Sequence, residues 1–486
     1  MSGHQVLTGD TTLTAAARLL TEAHGGRSGV RLLPDGREAF AVRVHCARLA
    51  QRTLDIQTYI WRNDTTGRFI AHELMDAADR GVAVRVLLDD MDARPRQFAL
   101  EALDRHPNIS IKLFNPFRTR SGWLRTLTEL TQRGRRLNHR MHNKAWIADG
   151  QVAICGGRNI GNEYFAAADD INFIDLDVML LGPAVASAQT EFDRYWECDL
   201  STPISELRRY SRKHLTLRRM QEFLGVEAAS TQELIVAEEI RAPSTTTALL
   251  DRPFHWSASV RVVTDDPRKA YGGTDDTSHV LESIVDEIRA ASREVLLISP
   301  YFVPGMGGTA ALRSLARQGA CVQVLTNSLA ATDVAIVHSG YTKYRAPLLE
   351  GGVELFELKY TIAEDERHPR FRLGSSRASL HTKAAIIDGN RVFVGSFNID
   401  PRSADLNCEM GVWIGSRKLA DKLRSSFHRG TDPRRAFAVR LDANGELEWL
   451  EHDSGRELVH RREPHANWWR RAIARVLEAL PIESQL

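Results

Sequence analysis

Two histidines, two lysines and two aspartates stand at matching intervals along this chain. His142, Lys144 and Asp149 are followed by Gly156, Gly157 and Asn159, and the pattern returns as His381, Lys383, Asp388, Gly395, Ser396 and Asn398. Both copies read H-x-K-x4-D-x6-G-[G/S]-x-N. Two imidazoles, with an ordinary pKa of about 6.5, can divide a displacement near neutral pH, one attacking and one moving a proton. Ammonium and amide groups are donors that suit an oxyanion. A phosphoryl centre gains charge on its oxygens as it reacts, and donors aimed there stabilise it. The constellation reads as phosphodiester chemistry without a metal or cofactor.

The elements around the motifs must aim these groups. Near His381 an apolar run, the Gly389-Asn390 turn and the run Val392-Phe393-Val394 predict strand, tight turn and strand. Alternate side chains share a strand face, so H-x-K is expected to point imidazole and ammonium the same way. Asp149 and Asp388, beside Gly150 and Gly389, are read first as turn supports whose carboxylates accept backbone N–H bonds, with a chemical role second. Each histidine also needs an acceptor for its other ring nitrogen. Glu409 follows the second motif and Asp175-Leu176-Asp177 the first. The expectation is Glu409 for His381 and Asp177 for His142, with Asp175 as the fallback.

These motifs resemble the paired H-x-K-x4-D motifs of the phospholipase D superfamily. The stretches Ser299 to Pro304, Thr326 to Asp333, His338 to Tyr341, Asn398 to Ser403 and Asn407 to Gly411 are similar to bacterial cardiolipin synthases, of the type lacking an N-terminal transmembrane hairpin. The resemblance runs from about residue 35 to the C-terminus. It implies transfer of a phosphatidyl group onto phosphatidylglycerol through a phosphohistidine, with hydrolysis to phosphatidic acid, or a nuclease, as the alternatives. By the superfamily's division of labour His142 is the nucleophile and His381 the acid and base. Lys144, Lys383, Asn159 and Asn398 would hold the phosphate oxygens, with Ser396 close by. Gly157 is grouped with them, although the motif more often has serine there and glycine brings no hydroxyl.

The matching runs 54–61 and 295–303, 82–88 and 321–325, and 109–114 and 353–358 read as repeated strands, with helices at 69–80 and 310–318. Alternating strands and helices imply an α/β chain of mixed, largely parallel sheets flanked by helices. Two phospholipase D-like halves with pseudo-two-fold symmetry would share one active site. The expected boundaries are 1–29 for an N-terminal extension, 30–200 for the first half, 201–256 for a connector with a basic helix, 257–430 for the second half and 431–486 for a C-terminal segment. Val84 to Asp90 imitates a nucleotide-binding strand, but no G-x-x-x-x-G-K-[S/T] occurs. Asp89, Asp90 and Asp92 read as a capped helix start. His338 reads as a pocket wall.

A hydrophobic share of 43 % fits a folded chain with two sizeable cores, and a net charge of +2 does not announce a nucleic-acid binder. Five cysteines without a C-x-x-C pair argue for a reducing compartment and against a zinc site. No apolar run reaches the length of about 18 residues of a membrane span. A protein peripheral to the bacterial cytoplasmic membrane follows, with the cytoplasmic side favoured and phospholipids as substrates. Two segments are candidates for contact with lipid: the Trp468–Leu480 stretch, apolar on one face with arginines off it, and the arginine-rich run from Arg118 to Arg140.

Overall fold

The computed structural model describes residues 12–93, 97–118, 134, 136–207, 216–234, 240, 244–272, 278–332, 334–360, 378–453 and 455–472. It forms two compact units, neither contiguous in sequence. The first comprises residues 1–167, 177–279 and 406–412; the second comprises 168–176, 280–405 and 413–486. Each unit thus takes one short segment from the far half of the chain, which the expected boundaries at 30–200 and 257–430 did not provide for.

The first unit is built on a nine-stranded sheet. Its order is His255–Ser257, Ser28–Leu33, Asp177–Leu181, Val152–Gly156, Ala145–Ala148, Thr53–Thr58, Ala83–Asp89, Ile109–Phe114 and Ser201–Pro203. Thr53–Thr58, Ala83–Asp89 and Ile109–Phe114 run parallel, the three strands of the sequence repeat, and the hairpin Ala145–Gly156 joins them antiparallel to Thr53–Thr58. The second unit repeats this plan. Glu294–Ile298, Cys321–Asn327 and Glu354–Leu358 are parallel, and the hairpin of Ala384–Ile387 and Arg391–Gly395 lies antiparallel to Glu294–Ile298. The hairpin Leu447–Asp453 and Arg456–His460 extends the other edge through Ala436–Leu441. The parallel strands are almost wholly buried because helices cover them, and their apolar runs reflect it.

Helices form where the pattern and the caps agree. Thr65–Asp79 starts at Asp64, whose side chain accepts the Gly67 N–H, and buries Phe69, Ile70, Leu74 and Met75. The expected connector is part of the first unit: its helix Leu217–Leu234 packs on Thr65–Asp79. The basic stretch ahead of that helix lies outside the described residues for 208–215.

Both motif hairpins turn on an Asp-Gly pair with positive φ, 51° and 63° at Asp149-Gly150 and 50° and 68° at Asp388-Gly389. This is the two-residue turn that strand twist favours, and glycine takes its second position without steric penalty. The aspartate carboxylates then reach the start of the neighbouring strand. Asp149 accepts N–H bonds from Gln51, Arg52 and Thr53 at 2.8–3.2 Å, and Asp388 accepts them from Ser292, Arg293 and Glu294 at 2.8–3.2 Å. Each carboxylate pins the hairpin to the first strand of the parallel core. Burial acts to raise the Asp388 carboxyl, but the three amides and Arg391 outweigh it and hold the group below its ordinary range.

Asp149→Ala leaves three amides unpaired around a site only 3 % exposed and is expected to cost about 3 kcal/mol in urea unfolding; Asp388→Ala, at a more open turn, costs less. Because the Asp388 pKa is depressed on folding, its contribution is complete above the unfolded value of about 3.9 and disappears as pH falls through the lower folded value. An Asp388→Ala penalty that is the same at pH 7 and pH 2.5 contradicts this role.

Candidate active site

In the first unit, the short segment 406–412 is spliced beside the chain that leads into the motif. Cys408 N–H donates to the Arg140 carbonyl and His142 N–H donates to the Cys408 carbonyl, both at 2.8 Å, as a parallel bridge between Met141 and Cys408. The next residue, Glu409, therefore lies against the imidazole. His142 Nδ1 is 3.0 and 3.1 Å from its two carboxylate oxygens. Glu409 is fully buried and fixed at both backbone ends by Asp265: the Asp265 N–H donates to its carbonyl at 2.9 Å, and its own N–H donates to Asp265 Oδ2 at 3.1 Å. Lys269, 2.8 Å from the same Oδ2, neutralises that second acid.

The second unit applies the same construction with another segment. Asn172–Ile174 pairs in parallel with Ala378–Leu380, and the Ile174 carbonyl accepts from both His381 N–H and Thr382 N–H at 2.8 and 2.9 Å. Asp175, the next residue, places Oδ2 2.6 Å from His381 Nδ1. Phe173 stacks on the imidazole with centroids 5.0 Å apart. Asn327 holds the approach through two 2.9 Å bonds to the Leu380 backbone. In both cases one residue's carbonyl grips the histidine amide and the following residue's carboxylate grips its ring.

The expected pairings are thereby corrected. Glu409 serves His142, and Asp175 serves His381. Asp177 serves neither: it is buried on strand Asp177–Leu181, ion-paired to Arg43 at 2.9 Å and to Arg158 at 3.3 Å. The error lay in assuming that an acid serves the motif nearest in sequence. The chain between Ile174 and Asp177 leaves one pairing for another sheet, so parity along 175–177 carries no information. The H-x-K residues also lie outside strands, which begin at Ala145 and Ala384, and the amides of both histidines bond to the spliced segments.

A carboxylate only accepts, so each Nδ1 carries the hydrogen and Nε2 carries the lone pair in the neutral ring. Both rings are nearly buried, at 8 % and 7 % exposure. Lys144 and Lys383 fold back so that Nζ donates to the carbonyl of their own histidine, at 2.6 and 2.5 Å. Two cations are thus held within two residues of the rings. Asn159 accepts from Ile60 N–H at 3.1 Å and donates to the Tyr164 hydroxyl at 2.9 Å. Asn398 buries an amide oxygen with no hydrogen-bond partner among the described residues, while Ser396 and Gly157 are buried at the ends of the motif hairpins. Asp149 and Asp388 stand apart from this chemistry. Their carboxylates are engaged at the hairpin turns by the backbone amides of Gln51, Arg52 and Thr53 and of Ser292, Arg293 and Glu294, which supports the reading as turn supports over a catalytic one.

Several neighbours were not foreseen. Tyr59 stands edge-on to His142 with centroids 5.0 Å apart, at the end of strand Thr53–Thr58. Asp89 accepts the Met141 N–H at 2.9 Å, and burial pushes its carboxyl up to about 6 despite Arg140. Asp89 also caps the Met91 N–H, whereas Asp90 and Asp92 accept from Phe117 and Trp61 and tie loops to the strand end. The repeat held a signal for Tyr59: both first strands run into a tyrosine, Tyr59 and Tyr301.

Arg140, expected in a cationic lip, is 1 % exposed and paired to Asp89 instead; 119–133 and 135 lie outside the described residues. Trp468 and Trp469 begin a helix and are 80 % and 47 % exposed, and 473–486 lie outside the described residues. His338 belongs to a buried ion network, accepting from Arg345, which also pairs with Glu357 and Glu463; burial acts to raise the Glu463 carboxyl, but Arg345 outweighs it and holds the group below its ordinary range. Among the described residues, Glu451, His460 and His465 bring three potential metal ligands within 4.8 Å. Lys359, 3.0 Å from Glu451, already supplies a cation there. Burial pushes the Cys46 and Cys155 thiols up to about 12, so both stay protonated.

The profile of the family described as "Cardiolipin synthase, PLD-like domain" matches residues 44–196 and 284–430, one match for each motif. The chain belongs to this family. Cardiolipin synthase C of Escherichia coli K12 is 39 % identical over 477 residues, covering 97 % of this chain and 99 % of that relative. A cardiolipin synthase of Staphylococcus aureus Mu50 is 24 % identical, over 82 % of this chain and 66 % of its own. The crystal structure of phosphatidylserine synthase from Haemophilus influenzae Rd KW20 aligns with a TM-score of 0.60, 13 % identity and coverage of 97 % and 100 %, a likeness of fold. As a member of the cardiolipin synthase family the protein is an enzyme of the phospholipase D-like class.

For this family member, removing the charge of a positioning carboxylate leaves the ring in place but releases its tautomer. Glu409→Gln and Asp175→Asn are each expected to lower kcat on a phosphodiester by about 10²- to 10⁴-fold. Asp177→Asn should instead lower Tm and leave kcat of the folded enzyme within about threefold. Steady-state kinetics beside thermal unfolding separates the two classes.

Proposed function

We propose that the protein forms cardiolipin by moving a phosphatidyl group from a phospholipid donor onto the glycerol of phosphatidylglycerol through a phosphohistidine. In this reading His142 Nε2 attacks phosphorus and a P–N bond forms as the donor's P–O bond breaks. His381, protonated, gives its Nε2 proton to the departing alcohol. The neutral His381 then takes the proton of the incoming phosphatidylglycerol hydroxyl, whose oxygen bonds to phosphorus as the P–N bond breaks. Glu409 and Asp175 stabilise whichever ring is positive at each step, and the two motif lysines, Asn159, Asn398 and Ser396 receive charge on the phosphate oxygens. The observation that carries the reading is that each motif imidazole has its Nδ1 on a buried carboxylate, which leaves Nε2 to react.

The substrates are membrane lipids, and no helix among the described residues is long and apolar enough to cross a bilayer. In this reading the protein meets the membrane from its surface, on the cytoplasmic side. The exposed Trp468 and Trp469 beside Arg470 and Arg471 support it, since tryptophan and arginine suit the interface of an anionic membrane. No nucleic-acid partner is part of the proposal.

Incubation with vesicles of labelled phosphatidylglycerol, alone or with phosphatidylethanolamine, should give cardiolipin. Phosphatidic acid as the sole lipid product would replace transfer with hydrolysis, and no product would overturn both. His142→Ala and His381→Ala should each retain less than a hundredth of the activity while remaining folded; a tenth of the activity in either contradicts the mechanism.

A further inference from the structure

Beside the first histidine lies a cavity of about 310 Å³ that no step of the proposed chemistry uses. Its walls are Leu88, Leu103, Met220 and Leu224, each 7 % exposed or less, with Phe223, 48 % exposed, at the rim. The space opens to solvent and is bordered by Asn63 and Asp92 as well, but most of its accessible lining is apolar. A pocket of that kind suits an apolar ligand. The cavity shares two residues with the histidine's surroundings. Tyr59 lines it and meets the His142 ring edge-on, and Asp89 lines it and accepts the Met141 N–H. Whatever fills the space therefore begins next to the phosphate-bearing end of the site.

We infer that this cavity takes one fatty acyl chain of the phospholipid whose phosphate reacts at His142. At roughly 30 Å³ for a water-sized group, it holds about ten carbon atoms, enough for the proximal part of one chain. One wall comes from the connector. Met220, Phe223 and Leu224, at i, i+3 and i+4 of helix Leu217–Leu234, lie on the same face, whereas Arg218, Arg219 and Glu222 are exposed. The helix that joins the two halves of the sequence thus gives the first half-site its preference for long chains. Arg62 and Arg68 also line the cavity and keep its entrance polar. An acyl chain enters here with its glycerol end toward Tyr59.

The inference rests on phosphatidylglycerol being a substrate, and two experiments separate the readings. In kinetics with dioleoyl- and dihexanoyl-phosphatidylglycerol, Leu224→Trp, which fills the cavity, should lower the long-to-short ratio of kcat/KM at least tenfold. Phe223→Glu, which charges an exposed rim position, should lower it in the same direction. Equal loss on both lipids, or an unchanged ratio, overturns the acyl site even where cardiolipin is formed. The second experiment needs no turnover: phosphatidylglycerol with a photoreactive group near the middle of an acyl chain is irradiated with the full-length protein. Crosslinks mapping to Met220, Phe223 or Leu224 support the cavity whatever the product chemistry. Crosslinks confined to other parts of the chain refute it.

Discussion

The structure depends on a single kind of joint: two consecutive residues from a remote part of the sequence gripping a histidine at its amide and at its ring. Cys408-Glu409 does this to His142 across 267 residues, and Ile174-Asp175 does it to His381 across 206. A buried carboxylate is costly unless its charge is met. Glu409 and Asp175 are both essentially inaccessible, at 0 % and 2 % exposure, and the N–H of each imidazole is part of what makes them tolerable. The dependence is reciprocal. The ring needs the acid to fix its tautomer, and the acid needs the ring to remain buried.

Much of the remaining architecture holds these joints in register. The three parallel strands of each sheet fix the first strand, the Asp-Gly hairpin is pinned to that strand by its carboxylate, and the motif enters from the hairpin's opposite end. Asp149 and Asp388 therefore work at a distance, setting where the hairpin sits. Asp265 and Lys269 fix Glu409 from the other side, and Asn327 and Phe173 do the same for His381. Because the key bonds span hundreds of residues, neither joint can close until both halves of the chain have been made. Loop closure on that scale makes for slow late steps in folding.

The doubled motif, the repeated strands and the turn role of the aspartates were legible in the sequence because they rest on local spacing. Asp-Gly at a tight turn means the same thing wherever it occurs. The histidine partners were not legible in full. Glu409 and the pair Asp175 and Asp177 were singled out, but one acidic segment follows each motif, so spacing favours the local pairing and says nothing of the exchange of 168–176 and 406–412 between units. Arg140 was taken for a surface cation because arginine usually is one; the strand-end Asp89, the Leu137 carbonyl and the Phe117 ring hold it inside. The connector looked like a link because it mixes a basic helical stretch, 208–219, with a Ser/Thr-rich run, 243–247. Its helix Leu217–Leu234 packs on helix Thr65–Asp79, which spacing along the chain did not show.

Nitrogen-15 spectra of the protein labelled at histidine test the joint most directly, since they report which ring nitrogen carries the proton. The account predicts that at neutral pH both motif rings are protonated at Nδ1, that Glu409→Gln alters the signals of His142 alone, and that Asp175→Asn alters those of His381 alone. A ring that carries no proton on Nδ1, or a Glu409→Gln change that appears at His381 instead, would contradict it.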